Sequence, residues 1–232
     1  MRTTSAACAR RLLLFTKPAT AGRVKTRLIG DLTAVQAAEL HAAFLADLLD
    51  RLSGGTFELR LAWALEDGEE VPQGPFPGVR QRGPGLGDRL YTALCEAADD
   101  FAGEGEPLVA ALGSDHPTLP LALVDRAFAA LEAGAPVVIG PAEDGGYYLI
   151  AVRSGVLSPR LFADIAWSTP QVLPATLERC RELGLTPAML PEASDVDTPD
   201  DLRRLAGRMA SGDLGCPRTR ALLQAWGWLG GN

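Results

Sequence analysis

Short apolar runs separated by small-residue turns set the rhythm of this chain. The stretches Arg11–Thr16, Pro107–Leu112, Pro136–Gly140 and Tyr147–Val152 are apolar at consecutive positions, the pattern of strands covered on both faces. Phe57, Leu59, Leu61 and Trp63 alternate with Glu58, Arg60, Ala62 and Ala64, and this period of two predicts another strand. Shorter runs at Val79–Arg82 and Thr186–Leu190 predict two more. Between the strands, spacings of three and four take over. Thr33 and Gln36 form a capping-box pair, and Ala37, Leu40, Phe44, Leu48 and Leu52 follow at helical steps. Leu90, Leu94, Ala97 and Phe101 mark a second helix, and Leu121–Ala133 a third that stops at Gly134. Ser158-Pro159 and Thr169-Pro170 each read as an N-cap with proline at the first helical position, although Pro174 falls inside the second of these helices. Thr198-Pro199 opens a last clear helix, with Asp200 and Asp201 at its positive end. Strands alternating with helices predict an α/β fold: a three-layer α/β/α sandwich around a mostly parallel central sheet, Rossmann-like in character.

The 232 residues suit one such domain over residues 1–210. Residues 211–232 form a glycine-rich tail ending in Trp226-Gly227-Trp228, expected to pack on the domain or on a partner subunit, so a homodimer is open. No apolar stretch approaches the ~20 residues of a membrane span, and Lys17 cuts the run after Arg10-Arg11 too short for a signal peptide. Cys8, Cys95, Cys180 and Cys216 are scattered without metal-ligand spacing, as expected of reduced thiols in a cytoplasmic protein. A net charge of −7 argues against a nucleic-acid partner. The placement of charge changes the picture more. Residues 1–30 contain no Asp or Glu but hold Arg2, Arg10, Arg11, Lys17, Arg23, Lys25 and Arg27, and the chain's two lysines both fall in the loop 17–27. With no carboxylate nearby in sequence, that loop reads as an anion site.

Carboxylates then recur behind strand ends: Asp115 in Gly113-Ser114-Asp115-His116-Pro117, Asp144 before Gly145-Gly146, and the pair Asp195 and Asp197. Ligands of open α/β sheets bind outside the carboxyl ends of the strands. A hard divalent cation takes one or two protein carboxylates together with substrate phosphates, so Asp115 and Asp197 are the candidate ligands for Mg²⁺ or Mn²⁺. His116 reads as a hydrogen-bonded loop residue and His41 as a helix-surface residue. The turn Gly83-Pro84-Gly85-Leu86-Gly87 before a helix suits close approach of a ligand to backbone amides. The expected phosphate-binding contacts are Lys17, Arg23, Lys25, Arg27, Gln81, Gly85, Leu86 and Gly87. Gly-x-Ser-x-Gly and Cys/His zinc spacings are absent from the sequence.

Four motifs carry a family resemblance: Phe15-Thr16-Lys17-Pro18 through Lys25-Thr26-Arg27-Leu28, Gly113-Ser114-Asp115-His116-Pro117, Glu143-Asp144-Gly145-Gly146-Tyr147-Tyr148-Leu149, and Asp195-Val196-Asp197-Thr198-Pro199-Asp200-Asp201-Leu202. Spanning roughly residues 11–205, they resemble the glycosyltransferase-A superfamily of nucleotide-diphospho-sugar transferases. Within it, the chain looks most like the bacterial glycosyltransferases associated with arsenosugar biosynthesis. The first and last motifs are also similar to 2-phospholactate and phosphoenolpyruvate guanylyltransferases, which are nucleotidyltransferases on the same fold. The resemblance implies that Asp115 is the metal-binding aspartate at the end of the central strand and that Lys25 and Arg27 face nucleotide phosphates. Ser114-Asp115-His116 offers one aspartate where a sugar transferase would carry Asp-x-Asp, which keeps nucleotidyl transfer open. Three readings stand. The first is a metal-dependent transferase moving a sugar from a nucleotide-sugar donor to a small-molecule acceptor. In it Asp144 is the candidate general base, Lys25 is the second catalytic residue, assisting the leaving diphosphate together with Arg27, and Gly145, Gly146, Tyr147 and Trp167 place the acceptor. The second is a nucleotidyltransferase, guanylyl- or cytidylyl-, in which a phosphorylated small acid attacks the α-phosphate of a nucleoside triphosphate and pyrophosphate leaves. The third is a non-catalytic nucleotide-binding protein.

Overall fold

A computed structural model describes residues 9–101 and 105–229. Arg2 and Cys8, and the tail beyond residue 229, lie outside these residues. Seven strands form one sheet: β1 (Arg10–Thr16), β2 (Glu58–Trp63), β3 (Gly78–Arg80), β4 (Leu108–Gly113), β5 (Val137–Pro141), β6 (Tyr147–Arg153) and β7 (Ala188–Met189). Their order is β3-β2-β1-β4-β6-β5-β7. All run parallel except β6, which is antiparallel to both β4 and β5. Six α-helices complete the described residues: α1 (Ala34–Leu52), α2 (Leu86–Asp99), α3 (Leu121–Glu132), α4 (Val172–Glu182), α5 (Pro199–Ser211) and α6 (Pro217–Ala225).

The apolar runs explain the layers. Because side chains alternate across a strand, Leu12, Leu14, Ala110 and Leu112 face one side with Leu48 and Leu52 of α1 and Phe128 of α3. Leu13, Val109, Ala111 and Ile150 face the other, against Leu90 and Leu94 of α2 and Cys180 of α4. Both faces of the central strands are thereby dry, which is why their sequence shows no polar alternation.

Several boundaries move from the sequence expectation. The strand expected over Thr186–Leu190 shrinks to a two-residue ladder beside β5. The helix α2 ends at Asp99, and Phe101 instead lies under the Arg11 guanidinium, 4.0 Å from its ring centroid. Ser158-Pro159 opens only a 3-10 turn, Pro159–Phe162. The helix expected from Thr169 begins at Val172, so Pro174 occupies its first turn, where a missing N–H breaks no intrahelical bond. The capping boxes at Thr33/Gln36 and Thr198/Asp201 both form.

The tail segment is bound within the chain. Leu223 on α6, Leu205 and Met209 on α5, and Leu40 and Phe44 on α1 share a third apolar cluster. Asp47 of α1, fully buried, caps the start of α6 from outside: its carboxylate accepts from Thr219 N (2.9 Å), Thr219 Oγ1 (2.7 Å) and Arg218 N (3.1 Å). Arg51, one turn later, donates to Leu119 O at 3.3 Å and to Gly215 O at 2.8 Å, and so ties the segment before α6 to the loop after β4. Asp47→Ala strands buried N–H groups at the helix start, at a cost of about 1–3 kcal/mol. Urea denaturation is expected to show that loss, and hydrogen exchange to show α6 opening before the sheet.

Candidate active site

The order of the strands reverses between β1 and β4: β2 and β3 extend one way and the later strands the other. A crevice opens at the carboxyl ends of two such diverging strands. The loop after β1 carries Lys17–Arg27, and the loop after β4 carries Asp115. Because β6 runs antiparallel, the connection from the end of β5 to the start of β6 reaches the same edge and brings Asp144, Gly145, Gly146 and Tyr147 there. The segment after β7 is stitched across this edge by Ala193 N to Pro141 O (3.0 Å) and Val196 N to Asp115 O (3.1 Å). Those bonds place Asp195 and Asp197.

At the centre is an ion triad. The Lys25 ammonium bonds Asp115 Oδ1, Asp197 Oδ1 (2.8 Å) and the Val196 carbonyl (2.8 Å), and its side chain is 2% exposed. An ammonium has three donors, so in this arrangement all are spent. Lys25 itself adopts the left-handed conformation, φ 48°, which is strained for a residue with a Cβ. Burial works against its charge, but the two carboxylates outweigh that and hold the ammonium above its ordinary pKa. Asp115 is held correspondingly below the usual carboxylate range: burial opposes this and the Lys25 charge prevails. Each carboxylate keeps a second oxygen without a hydrogen bond among the described residues, and the two side chains are 43% and 35% exposed.

Two cavities meet at this triad. One, of about 570 Å³, is lined by Lys17, Arg23, Lys25, Arg27, Gln81 and Arg89. The other, of about 510 Å³, contains Asp144, Asp195, Tyr147, Trp167 and Thr169. Arg27, Asp115 and Asp197 line both. The expected residues therefore converge on one edge, but their roles in the structure differ. While it is bonded to Asp115, Val196 and Asp197, Lys25 has no donor left for a phosphate. Arg23 has counter-carboxylates distant in sequence, Glu66 at 2.9 Å and Glu69 at 2.5 Å. Arg10 and Arg11 pair with Glu132 and Glu58, and so leave the anion site. Lys17 and Arg27 are exposed and have no carboxylate partner among the described residues. Gln81 is locked by its amide nitrogen to Ala62 O at 2.8 Å.

The glycine turn also differs from its expectation. Gly85 N is taken by Asp88 Oδ2 at 3.1 Å, and of the three residues only Leu86 lines the two cavities. Gly85 and Gly87 border a separate groove of about 410 Å³. At Gly87 the reason for glycine is packing: a Cβ would lie 2.6 Å from Phe162 O and 2.8 Å from Trp167 Nε1. Gly145, at φ +87°, meets the Pro170 backbone in the same way, at 2.6 Å. These two contacts seat the segment carrying Trp167, whose ring packs edge-on to Tyr147 at 6.2 Å. Asp144 spends Oδ1 on Gly146 N at 2.9 Å, holding its own turn.

His41 is not on the surface as expected. It is 4% exposed, and its Nε2 lies 3.1 Å from Lys17 O and 3.2 Å from Thr16 Oγ1. Burial keeps it below its ordinary pKa, so a neutral ring pins the start of the basic loop. His116 is likewise lowered by burial, with Nδ1 3.1 Å from Ser194 O. Asp195 carries no role that the sequence pattern alone assigns. Burial, then the neighbouring charges of Asp197 and Asp144, push its carboxyl up to about 6.

Residues 55–169 match a family described as uncharacterized proteins conserved in bacteria, DUF2064. A solved structure from Desulfovibrio desulfuricans G20, provisionally assigned as a nucleotide-diphospho-sugar transferase, aligns with TM-score 0.87 and 32% identity over 96% of both chains. The chain belongs to the nucleotide-diphospho-sugar transferase superfamily. Among curated proteins, the 3-phospho-D-glycerate guanylyltransferase of Phenylobacterium zucineum (strain HLK1) is 29% identical over 192 residues, 78% of this chain and 84% of its own length. A cytidylyltransferase from Leptospira borgpetersenii shares the fold, with TM-score 0.54 and 13% identity over 94% of this chain and 93% of that one. As in its relatives, the activity of this superfamily member is transfer. No helix among the described residues is long and apolar enough to cross a membrane.

Gly87→Ala must displace Phe162 or Trp167, so it is expected to lower stability by about 1–3 kcal/mol through overpacking. Adding Trp167→Phe, which removes the indole nitrogen, is expected to restore part of that loss in the same denaturation assay.

Proposed function

We propose that this protein transfers a sugar from a nucleotide-sugar donor to an uncharged acceptor, with the nucleotide phosphates in the basic cavity. One observation carries the choice. The second cavity is lined by Asp115, Asp144, Asp195 and Asp197, and Arg27 is the one arginine or lysine among its described residues. Phosphorylated acids bring two or more negative charges and need cationic, multidentate partners. Sugar hydroxyls instead donate to carboxylates, and Trp167 and Tyr147 supply flat apolar walls.

The donor set at the triad fits a hard divalent cation: two carboxylates with one uncommitted oxygen each, beside cations for phosphate. Among the described residues no group of three or more His, Cys, Asp or Glu is placed to hold a metal ion, so an ion here would need substrate oxygens for its remaining ligands. Asp115 and Asp197 would hold Mg²⁺ or Mn²⁺, which supplies neutralisation of the diphosphate leaving group. Lys17 and Arg27 then orient the phosphates and take up charge as the bond breaks. Asp144 and Asp195 are the carboxylates on the acceptor side able to accept the proton of an attacking hydroxyl.

Nucleotidyl transfer is the second reading, and the likeness to a guanylyltransferase over 78% of the chain favours it. The two separate on product. With a nucleotide-sugar panel and Mn²⁺, release of nucleoside diphosphate is expected. Release of pyrophosphate from a nucleoside triphosphate and a phosphorylated acid would instead establish the second reading.

Two variants test the site. Arg27→Ala is expected to cost about 10²–10³ in kcat/KM, comparable to losing one oxyanion donor, while binding of the bare nucleoside is unchanged. Asp115→Asn is expected to abolish transfer. It also weakens a charged hydrogen bond to the buried Lys25 ammonium, so a stability loss of about 1–3 kcal/mol in thermal unfolding accompanies it.

A further inference from the structure

We infer that Lys25 is an exchangeable counter-ion: it holds the Asp115 and Asp197 carboxylates in the protein alone and competes with a divalent cation for them. The inference rests on the assignment of these two aspartates to a metal, and it concerns what controls that site.

Both Oδ1 atoms bond the same Nζ, which places the two carboxylates within two hydrogen-bond lengths, ~6 Å, of one another. Such a pair repels itself unless a cation lies between them. Lys25 is that cation, and 2% exposure leaves it no water to turn to. An ion bound to the same carboxylates at ~2.0–2.6 Å would sit beside an ammonium of like charge. The two cations therefore oppose each other unless Lys25 finds a different anion. One is available in principle, because Lys25 lines the basic cavity together with Lys17 and Arg27, where phosphate oxygens are expected. A nucleotide would give the ammonium a new partner and free the carboxylates together. The binding of metal and nucleotide is then coupled, and by linkage each strengthens the other to the same degree. The left-handed backbone at Lys25 supports the exchange, since the conformation that delivers the ammonium to the carboxylates is itself strained.

The test is Mn²⁺ binding by electron paramagnetic resonance, with and without a nucleoside diphosphate. Wild-type protein is expected to bind Mn²⁺ weakly alone and at least tenfold more tightly with the nucleotide. Lys25→Met, uncharged and of similar length, is expected to bind Mn²⁺ alone at least tenfold more tightly than wild type, with most of the nucleotide effect gone. Equal Mn²⁺ affinity in wild type and variant would overturn the exchange but leave the metal site standing. No Mn²⁺ binding in either protein, with or without nucleotide, would overturn both. A second measurement needs no variant of Lys25. The chain has two lysines, so ¹⁵N-lysine labelling gives two side-chain signals, assigned with Lys17→Arg. With the nucleoside diphosphate already bound at saturation, added Mg²⁺ is expected to shift the Lys25 ammonium signal further. A Lys25 signal unmoved at Mg²⁺ concentrations that saturate the nucleotide complex would sink the proposal.

Discussion

A single buried ammonium holds the working edge of this protein together. Lys25 joins the loop after β1 to carboxylates 90 and 172 residues further along the chain. Taking the Lys25 charge out of water is costly, and an ion pair in such a place is weak evidence for stability. Its use lies in geometry. Strand ends are fixed by apolar packing in the layers below, and the loops above them are anchored in part by buried Val24, Leu28, Leu119 and Val196. The Lys25 contacts, with Val196 N bonded to Asp115 O at 3.1 Å, add to that packing a small set of directed bonds. Asp201 adds to this by accepting from Asp197 N at 3.0 Å and Thr198 N at 2.7 Å. One residue thereby caps α5 and steadies the backbone of Asp197.

The layered fold was legible in the sequence because its strands are dry on both faces and its helices carry their caps. What could not be read there is physical in origin. Periodicity carries no strand direction, so nothing in Tyr147–Val152 announces that β6 runs against its neighbours. Thr186–Leu190 has strand-like residues but only two positions meet a partner. His41 was misplaced even though the signal existed: it lies four residues after Ala37 and three before Phe44, within the buried stripe of α1. A histidine there is tolerated because Lys17 O and Thr16 Oγ1 are in reach. The basic loop misled for another reason. Its counter-charges are absent nearby in sequence and present in space, at Glu66, Glu69, Asp115 and Asp197. Proximity along the chain is a poor guide to whether a charge is paired.

Glycines show the same distinction. Gly85 and Gly87 looked like room for a ligand beside backbone amides. In the fold, one donates its amide to Asp88 and the other makes room for Phe162 and Trp167. The sequence marks where a side chain is not wanted, and only the packing says what takes its place.

The meeting of two oppositely charged cavities gives the edge a polarity, and that polarity follows from topology. Loops following strands on one side of the β1/β4 divide contribute the arginine-rich lining; the loop after β4, the β5–β6 connection and the segment after β7 contribute the carboxylates. A nucleotide sugar is itself polar in the same sense, with charge concentrated on its diphosphate and an uncharged sugar beyond. On the proposed reading, the field of the crevice admits such a donor in one orientation, phosphates toward Lys17 and Arg27 and sugar toward Asp144 and Asp195, and opposes the reverse. Asp115, Asp197 and Arg27, which line both cavities, then sit where phosphate gives way to sugar. That boundary is the bond a sugar transferase must break, and charge there changes most as it breaks.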